Sequence, residues 1–172
     1  MEEENSIKLV IFDLDGTLVK IPIDYANMYS KLRELLGLRL DVIPLRLIKE
    51  ITEDDEELRE KIFKILDDAE AEAVSNIIIN PEIEAIRKRF KDFKKVLVTM
   101  QGLNAVKAII PKIGMSFDFV ITREDSLDRF TQLKMALKRF KINAEHALFI
   151  GDRKHDENCA RKLGCKFVRM NW

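Results

Sequence analysis

Hydrophobic and polar positions divide the chain into a first strand, a helical stretch and a region of regular alternation. Residues 7–12 form a nearly continuous apolar run that precedes Gly16, a pattern typical of a buried strand that ends in a turn. From residue 95 onward, short apolar runs alternate with stretches in which apolar side chains recur at helical spacing. This alternation predicts strands joined by helices, which assemble as a parallel sheet with right-handed crossovers.

The alternating region begins after Pro81, which stands at the first position of a predicted helix. Glycine and proline mark several of the predicted ends. The predicted elements are a helix at 82–93, a strand at 95–99, a helix at 103–110 ended by Pro111, a strand at 117–121, a helix at 130–140, a strand at 147–150, a helix at 155–163 ended by Gly164 and a strand at 166–170.

The stretch between the first strand and Pro81 shows only helical periodicity. Asp24 is the predicted N-cap of a helix that ends at Gly37, and Pro44 opens a shorter helix. Thr52 and the acidic residues after it predict the start of a third helix, because acids suit the positive end of the helix dipole. We therefore interpret this stretch as an insertion rather than as part of the sheet.

The pattern as a whole predicts an α/β fold. We expect a Rossmann-like parallel sheet with helices on both faces, and a small all-helical cap inserted after the first strand. The predicted core domain comprises residues 1–21 and 77–172, and the predicted cap comprises residues 22–76. A chain of 172 residues accommodates one such domain with a modest insertion.

Composition argues against several classes of partner. The chain carries 30 Lys and Arg and 30 Asp and Glu residues, so no basic excess indicates nucleic-acid binding. Residues 1–5 are acidic, unlike the start of a secretory signal, and no apolar run approaches a membrane span of about 20 residues. We expect a soluble cytoplasmic protein in which Cys159 and Cys165 are reduced thiols, and whether they ever pair depends on geometry.

Polar side chains stand where three of the predicted strands end. Asp13 and Asp15 follow the first strand, Thr99 ends the second sheet strand, and Asp152 and Asp156 follow a later one. Ligands of open α/β sheets bind beyond the carboxyl ends of the strands, so this edge is the expected place for chemistry. Two carboxylates about 4 Å apart repel by about 4 kcal/mol at an effective dielectric constant of about 20, which predicts a cation between them. Oxygen ligands favour a hard ion such as Mg²⁺.

The string Asp13-Leu14-Asp15-Gly16-Thr17 after an apolar strand resembles the first motif of the haloacid dehalogenase-like (HAD) hydrolase superfamily. Thr99 is similar to the second motif, and Gly151-Asp152 followed by Asp156 resembles the fourth. The helical insertion is similar to the C1-type cap of the phosphoglycolate phosphatase-like branch. The resemblance covers residues 7–21 and 80–170.

The third motif of the family, a lysine often followed by proline, has no direct match. No Lys-Pro occurs between residues 121 and 140. Alignment of the helix at 130–140 with the family pattern puts Arg129 near the lysine position, and an arginine fork suits phosphate. Lys134, inside the predicted helix, and Arg123, at the end of the preceding strand, are alternatives. The competing interpretation is that Arg129 is only a surface charge.

The resemblance implies a phosphatase mechanism. Asp13 would attack the phosphorus atom and form an aspartyl-phosphate, while Asp15 would protonate the leaving oxygen and later activate water. The Thr99 hydroxyl, the backbone N–H of Met100 and the Arg129 guanidinium would bind the phosphate. The implied Mg²⁺ ligands are Asp13, the backbone carbonyl of Asp15, Asp152 and, in support, Asp156.

The second acid of the first motif also indicates the reaction type. An aspartate at the Asp15 position favours a phosphatase or a phosphomutase, because related dehalogenases usually lack it. The implied substrate is a small phosphorylated metabolite held under the cap, for which Lys20 and Tyr25 are candidate contacts. A phosphomutase acting on a sugar phosphate and a catalytically weakened domain with a binding role are the alternatives. No nucleic acid or membrane partner is expected, and the sequence leaves the substrate and the oligomeric state open.

Overall fold

The computed structural model describes residues 7–172, so the acidic start at 1–5, which argued against a secretory signal, lies outside the described residues. In chain order the strands and helices are β1 (Leu9–Phe12), β2 (Val19–Lys20), α1 (Tyr25–Leu36), α2 (Leu45–Ile51), α3 (Glu56–Ala73), β3 (Ile78–Ile79), α4 (Ile83–Arg89), β4 (Lys94–Val98), α5 (Leu103–Ile113), β5 (Phe119–Ile121), α6 (Arg129–Phe140), β6 (Ala147–Gly151), α7 (Lys154–Leu163) and β7 (Lys166–Arg169). Short 3-10 helices cover Val74–Asn76 and Ala144–His146. Within residues 7–172, no helix has the length and apolar character needed to cross a membrane.

Across the described residues, five strands form one parallel sheet in the order β5-β4-β1-β6-β7. β1 is the central strand and pairs with β4 on one side and β6 on the other, so that Phe12 lies opposite Leu97 and Ile150. Because the chain continues to one side of β1 first and to the other side later, a crevice opens beyond the carboxyl ends of these three strands. The predicted α/β fold with a Rossmann-like parallel sheet is confirmed.

Each face of the sheet has its own apolar cluster, because alternate residues of β1 point to opposite faces. Phe12 belongs to the cluster that α4 and α5 cover, where it packs with Ile109. Ile11 belongs to the opposite cluster, which contains Leu133 of α6 and Ala160 of α7. Burial of one large apolar side chain contributes roughly 1.5–3 kcal/mol. The two layers hold β1 firmly, so the residues that follow it start from a fixed position.

The helices α1, α2 and α3 pack around a third apolar cluster, which includes Leu32, Ile48 and Ile62. β2 and β3, an antiparallel pair in which Val19 lies opposite Ile79, flank this helical unit. The sequence pattern did not predict these strands, because two residues are too few to show a period. The domain boundaries drawn from the sequence stay a prediction.

Two predicted helix ends differ from the structure because tertiary packing overrides the local signal. α5 continues through Pro111 to Ile113, which is buried against the sheet and holds the last turn in place although proline removes one hydrogen bond. α4 ends at Arg89, four residues earlier than predicted. The next residue, Phe90, leaves the helix and packs edge-on against Phe12, with ring centroids 5.5 Å apart.

The start of α3 also differs from the prediction. Asp55, and not Thr52, is the N-cap, and its side chain accepts a hydrogen bond from the backbone N–H of Leu58 at 2.9 Å. The Thr52 hydroxyl donates instead to the Ile48 carbonyl at 2.7 Å and closes α2. Several polar residues in a row offered equivalent N-caps, and the length of the turn after α2 selects among them.

Candidate active site

Three carboxylates converge beyond the carboxyl ends of β1 and β6. Asp13 follows β1, Asp152 follows β6, and Asp156 lies in the first turn of α7. One oxygen atom of each lies within 4.8 Å of the others, and Asp13 and Asp156 are buried. Because β1 and β6 are neighbours in the sheet, their ends bring together residues that are distant in sequence.

Two glycines let these carboxylates approach the backbone. Gly16 has a φ of +83°, and a Cβ atom there would lie 2.2 Å from Asp152 Oδ2. A Cβ atom at Gly151 would lie 2.9 Å from Asp156 Oδ2. That oxygen also accepts a hydrogen bond from the backbone N–H of Arg153 at 3.3 Å, which fixes the start of α7. A larger residue at Gly16 would displace a carboxylate from the cluster.

The cluster fits a hard divalent cation. Asp152 Oδ1 is buried and has no hydrogen-bond partner among the described residues. Burial raises the pKa of Asp13 to about 7; Arg129 opposes this rise, and Asp156 and Asp152 add to it. Burial also raises the pKa of Asp152, against the nearby charge of Arg153. A cation among these oxygens would remove their mutual repulsion, and an all-oxygen donor set is the one that Mg²⁺ takes.

Arg129 contacts two of the three carboxylates. Its Nη2 lies 2.6 Å from Asp13 Oδ1, and its Nε lies 3.0 Å from Asp156 Oδ1. Its Nη1 donates to Gln132 Oε1 at 3.0 Å, one turn along α6. Arg129 is only 6% exposed, so it is not a surface charge. The structure therefore brings the predicted Arg129 to Asp13, and its role toward phosphate stays a prediction.

The two alternative cations lie elsewhere. Arg123 is 1% exposed, and its guanidinium pairs with two acids of α3: Nη1 lies 2.5 Å from Glu70 Oε1, and Nη2 contacts Asp67. Glu70 also accepts a hydrogen bond from the backbone N–H of Gly102 at 3.0 Å. Lys134 lies on the exposed side of α6. Arg123 thus joins the end of β5 to the helical insertion and does not serve the carboxylate cluster.

Asp15 lies in the turn between β1 and β2. Its Oδ1 accepts a hydrogen bond from the backbone N–H of Ile21 at 2.9 Å, and its backbone pairs with Val19. Burial raises the pKa of Asp15, while the Ile21 N–H and Arg153 lower it. A carboxyl group with a raised pKa holds its proton more readily, as a general acid requires.

Trp172 contacts the loop that carries Asp15, although no pattern in the sequence indicates that it lies at the site. Its Nε1 donates to the carbonyls of Gly16 and Thr17, both at 3.1 Å. Lys20, a candidate substrate contact, donates to the Trp172 carbonyl, and its Nζ lies 4.2 Å from the centroid of the indole ring. No motif or period connects residues that are 155 positions apart.

Thr99 and Met100 follow β4, next to β1. The Thr99 hydroxyl donates to Gln101 Oε1 and accepts from the Gln101 N–H at 3.2 Å. Gln132 Nε2 donates to the Thr99 carbonyl at 2.8 Å, so the residue that supports Arg129 also fixes the end of β4. The predicted phosphate contacts of Thr99 and Met100 stay a prediction.

A cavity of about 320 Å³ adjoins this site. Side chains of α1, α2 and the loop between them form one wall, and Met100, Gln101 and Arg153 line the side toward the sheet. Tyr25, the other candidate substrate contact, lines the cavity. Burial and the nearby charge of Asp15 raise the pKa of Tyr25.

A family model matches nearly the whole chain. The model described as haloacid dehalogenase-like hydrolase matches residues 10–170. No curated protein sequence matches the chain.

Solved structures share the fold at low sequence identity. A haloacid dehalogenase-like family hydrolase from Streptococcus pneumoniae is 20% identical with a TM-score of 0.71, over 98% of this chain and 86% of that chain. A protein described as a predicted phosphoglycolate phosphatase from Haemophilus somnus 129PT is 21% identical with a TM-score of 0.66, over 95% and 85%. The 2-haloacid dehalogenase from Pseudomonas syringae pv. Tomato DC3000 is 24% identical with a TM-score of 0.58, over 95% and 86%.

Proposed function

Because the chain belongs to the haloacid dehalogenase-like hydrolase family, we propose that it is a Mg²⁺-dependent phosphatase that acts on a small phosphorylated metabolite. The family match confirms the predicted hydrolase, while the phosphate ester and the ion belong to the proposal. The observation that carries it is the contact of Arg129 with Asp13 inside a group of three clustered carboxylates. A buried cation beside a carboxylate nucleophile suits the transfer of a negatively charged phosphoryl group.

In the proposed reaction, an oxygen atom of Asp13 attacks the phosphorus atom, and the bond from phosphorus to the leaving oxygen breaks. Asp15 gives its proton to that oxygen, which departs as an alcohol. Asp15 then accepts a proton from water, whose oxygen attacks the phosphorus atom and releases phosphate from Asp13. The raised pKa of Asp15 supports its first role, and its place two residues from Asp13 supports both.

Asp13, Asp152, Asp156 and the backbone carbonyl of Asp15 would hold the ion. When bound, Mg²⁺ supplies positive charge to the phosphoryl oxygens and to the crowded carboxylates. Arg129 keeps Asp13 and Asp156 in fixed positions, through contacts of 2.6 and 3.0 Å. Orientation of this kind limits the movement needed during the reaction.

Asp15 supports a phosphatase over a dehalogenase, because the dehalogenases of the family usually lack an acid at this position. The fold alone does not separate the two activities, since the Pseudomonas syringae dehalogenase shares it. A catalytically weakened domain would be favoured if no cation lay beside Asp13. Arg129 supplies that cation, which argues against this alternative. A phosphomutase uses the same two acids, and its product distinguishes it.

The cavity beside the carboxylates supports a small molecule as substrate. A space of about 320 Å³ accepts a metabolite but not a folded protein or a nucleic-acid strand. The net charge of zero gives no electrostatic support for nucleic-acid binding.

Phosphate release from a panel of small phosphate esters, with and without Mg²⁺, tests the proposal. We expect release that requires Mg²⁺ and is lost in Asp13→Asn, which keeps the shape of the side chain but removes the nucleophile. The matched control is Asp92→Asn, since the Asp92 side chain is 83% exposed and lies just before β4, at the opposite end from the cluster. Turnover that survives in Asp13→Asn would refute the assignment, and an isomeric sugar phosphate in place of free phosphate would indicate a phosphomutase.

A further inference from the structure

The cavity next to the carboxylate cluster is lined by residues that follow the proposed phosphate contact and the proposed metal ligand in the chain. Met100 and Gln101, which follow Thr99, line it, as does Arg153, which follows Asp152. The part of a substrate that remains attached to the phosphate must therefore extend into this cavity. The chemistry of its wall then selects the leaving group.

The wall that faces the carboxylate site across the cavity is apolar. It is formed by buried side chains of the helical unit, among them Met28, Leu32, Ile43 and Ile48. The rings of Tyr25 and Tyr29 stack beside it, with centroids 6.0 Å apart. Apart from the two tyrosine hydroxyls, such a wall offers contact to apolar groups and few hydrogen-bond partners to the hydroxyl groups of a substrate.

The charged side chains that line the cavity have oppositely charged neighbours. Arg123 Nη1 lies 2.5 Å from Glu70 Oε1, and Arg153 Nε lies 3.9 Å from Asp152 Oδ2. The side-chain amide oxygen of Gln101 accepts from Thr99. A carboxylate on the substrate would have to compete with Asp152 for Arg153, and the buried hydroxyl groups of a sugar would lose their water with little replacement.

The volume limits the leaving group further. About 320 Å³ is near the lower end of the range of small-molecule sites, which begins at about 300 Å³. One six-membered ring or a short branched chain fits this space.

We propose that the leaving group of the substrate is a compact, uncharged and mainly apolar alcohol, rather than one that carries a carboxylate or several hydroxyl groups. This inference rests on the proposed phosphatase function. It goes beyond that function because it is drawn from the wall of the cavity and not from the carboxylate site.

The test compares kcat/KM for phosphate esters of primary alcohols in the presence of Mg²⁺. Benzyl phosphate and isopentyl phosphate represent apolar leaving groups, 2-phosphoglycolate and glucose 6-phosphate represent charged and polyhydroxylated ones, and methyl phosphate serves as the reference that leaves the cavity empty. Each unpaired polar group in the cavity is expected to cost about tenfold or more. We therefore expect kcat/KM for the apolar esters to exceed that for the polar ones at least about tenfold.

A matched pair of variants ties this preference to the cavity. Leu45 lines the cavity, whereas Leu47 lies on the same helix, is similarly half-buried and does not line it. Leu45→Asn is expected to lower the ratio of benzyl to methyl phosphate turnover at least about fivefold, while Leu47→Asn leaves this ratio unchanged. The ratio cancels any loss of folded protein that the two variants share.

The outcomes separate the two proposals. Faster turnover of 2-phosphoglycolate or glucose 6-phosphate than of both apolar esters would overturn the leaving-group inference and leave the phosphatase standing. An unchanged ratio in Leu45→Asn would also overturn it. Absence of phosphate release from every ester, methyl phosphate included, would overturn the phosphatase and the inference together.

Discussion

Arg129 Nη2 lies 2.6 Å from Asp13 Oδ1, and this contact joins the first residue of α6 to the residue that follows the central strand. A single guanidinium thereby faces two acids of a three-carboxylate group, since its Nε also reaches Asp156. It opposes the rise in the pKa of Asp13 that burial causes. The charge of Arg129 and its fork geometry both bear on how Asp13 is presented to a substrate.

We predict that Arg129→Ala lowers kcat/KM for phosphate release by about 10²–10³-fold, because it removes a preorganised charge next to the nucleophile. Arg129→Lys should recover part of this loss, since lysine restores a charge but not two directed contacts. Lys134→Ala, on the exposed side of the same helix, is the control and should keep the full rate. A full rate in Arg129→Ala would show that the transferring phosphate needs no cation from α6.

Two of the left-handed glycines, Gly16 and Gly37, provide a second, internally controlled prediction. Alanine in the left-handed region costs about 1 kcal/mol or more at either position. Only the Cβ at Gly16 would strike a carboxylate, since nothing lies within 4 Å of one at Gly37. Gly16→Ala should weaken Mg²⁺ binding, measured by calorimetry, at least about tenfold, and Gly37→Ala should not. Equal affinities in the two variants would exclude Asp152 as a ligand.

The Arg123 guanidinium should be important for stability rather than for catalysis. Arg123→Met leaves Glu70 and Asp67 without their partner, which should lower the free energy of unfolding by about 3–5 kcal/mol in urea titrations. Adding Glu70→Leu should recover most of the loss, because it removes the buried acid as well.

The surface pair Arg46–Glu50 is the reference for this prediction. Its side chains are 88% and 55% exposed, and Arg46→Met should change the free energy of unfolding by less than about 1 kcal/mol. If Arg123→Met were equally mild, the buried contact would contribute nothing beyond a solvent-exposed pair.

Trp172 is expected to order the loop that carries Asp15. Trp172→Phe keeps an aromatic ring beside Lys20 but loses the N–H that donates to Gly16 and Thr17. Loss of this donor should cost about 1 kcal/mol, which corresponds to about fivefold faster amide hydrogen exchange in residues 14–19. Val168→Ala, at an exposed position of β7, should leave these amides unchanged. Identical loop exchange in Trp172→Phe and the wild type would contradict the assignment.

The carboxylate cluster could be predicted from the sequence because two of its members follow strand ends and the third begins the next helix. Apolar runs locate the strands, and parallel pairing aligns their carboxyl ends, which brings Asp13 and Asp152 together. Asp156, four residues after Asp152, lies at the start of the helix that follows. Arg129 was found in another way, because alignment of the helix at 130–140 with the family pattern puts this residue near the lysine position. The prediction of the cluster uses local patterns together with one rule of topology, and the prediction of Arg129 uses the resemblance to the family.

Contacts between distant segments could not be predicted in this way. Arg123 was predicted from the sequence as an alternative phosphate contact. Its ion pair with Glu70, which is 53 residues away, corresponds to no local pattern in the sequence. The hydrogen bond from Trp172 to the Gly16 carbonyl likewise corresponds to no local pattern. The predicted helix end at Pro111 was wrong for another reason. Proline is a strong local signal for a helix end, but the burial of Ile113 outweighs the one hydrogen bond that proline removes.

The central position of β1 has a consequence for how the chain is made. Leu9–Phe12 leave the ribosome before both of their neighbours, Lys94–Val98 and Ala147–Gly151. The helical unit from α1 to α3 contacts itself over short sequence distances and is able to form during this interval. A nascent chain that stalls before residue 147 retains an unpaired apolar edge on β1, which makes it a target for chaperones or a nucleus for aggregation.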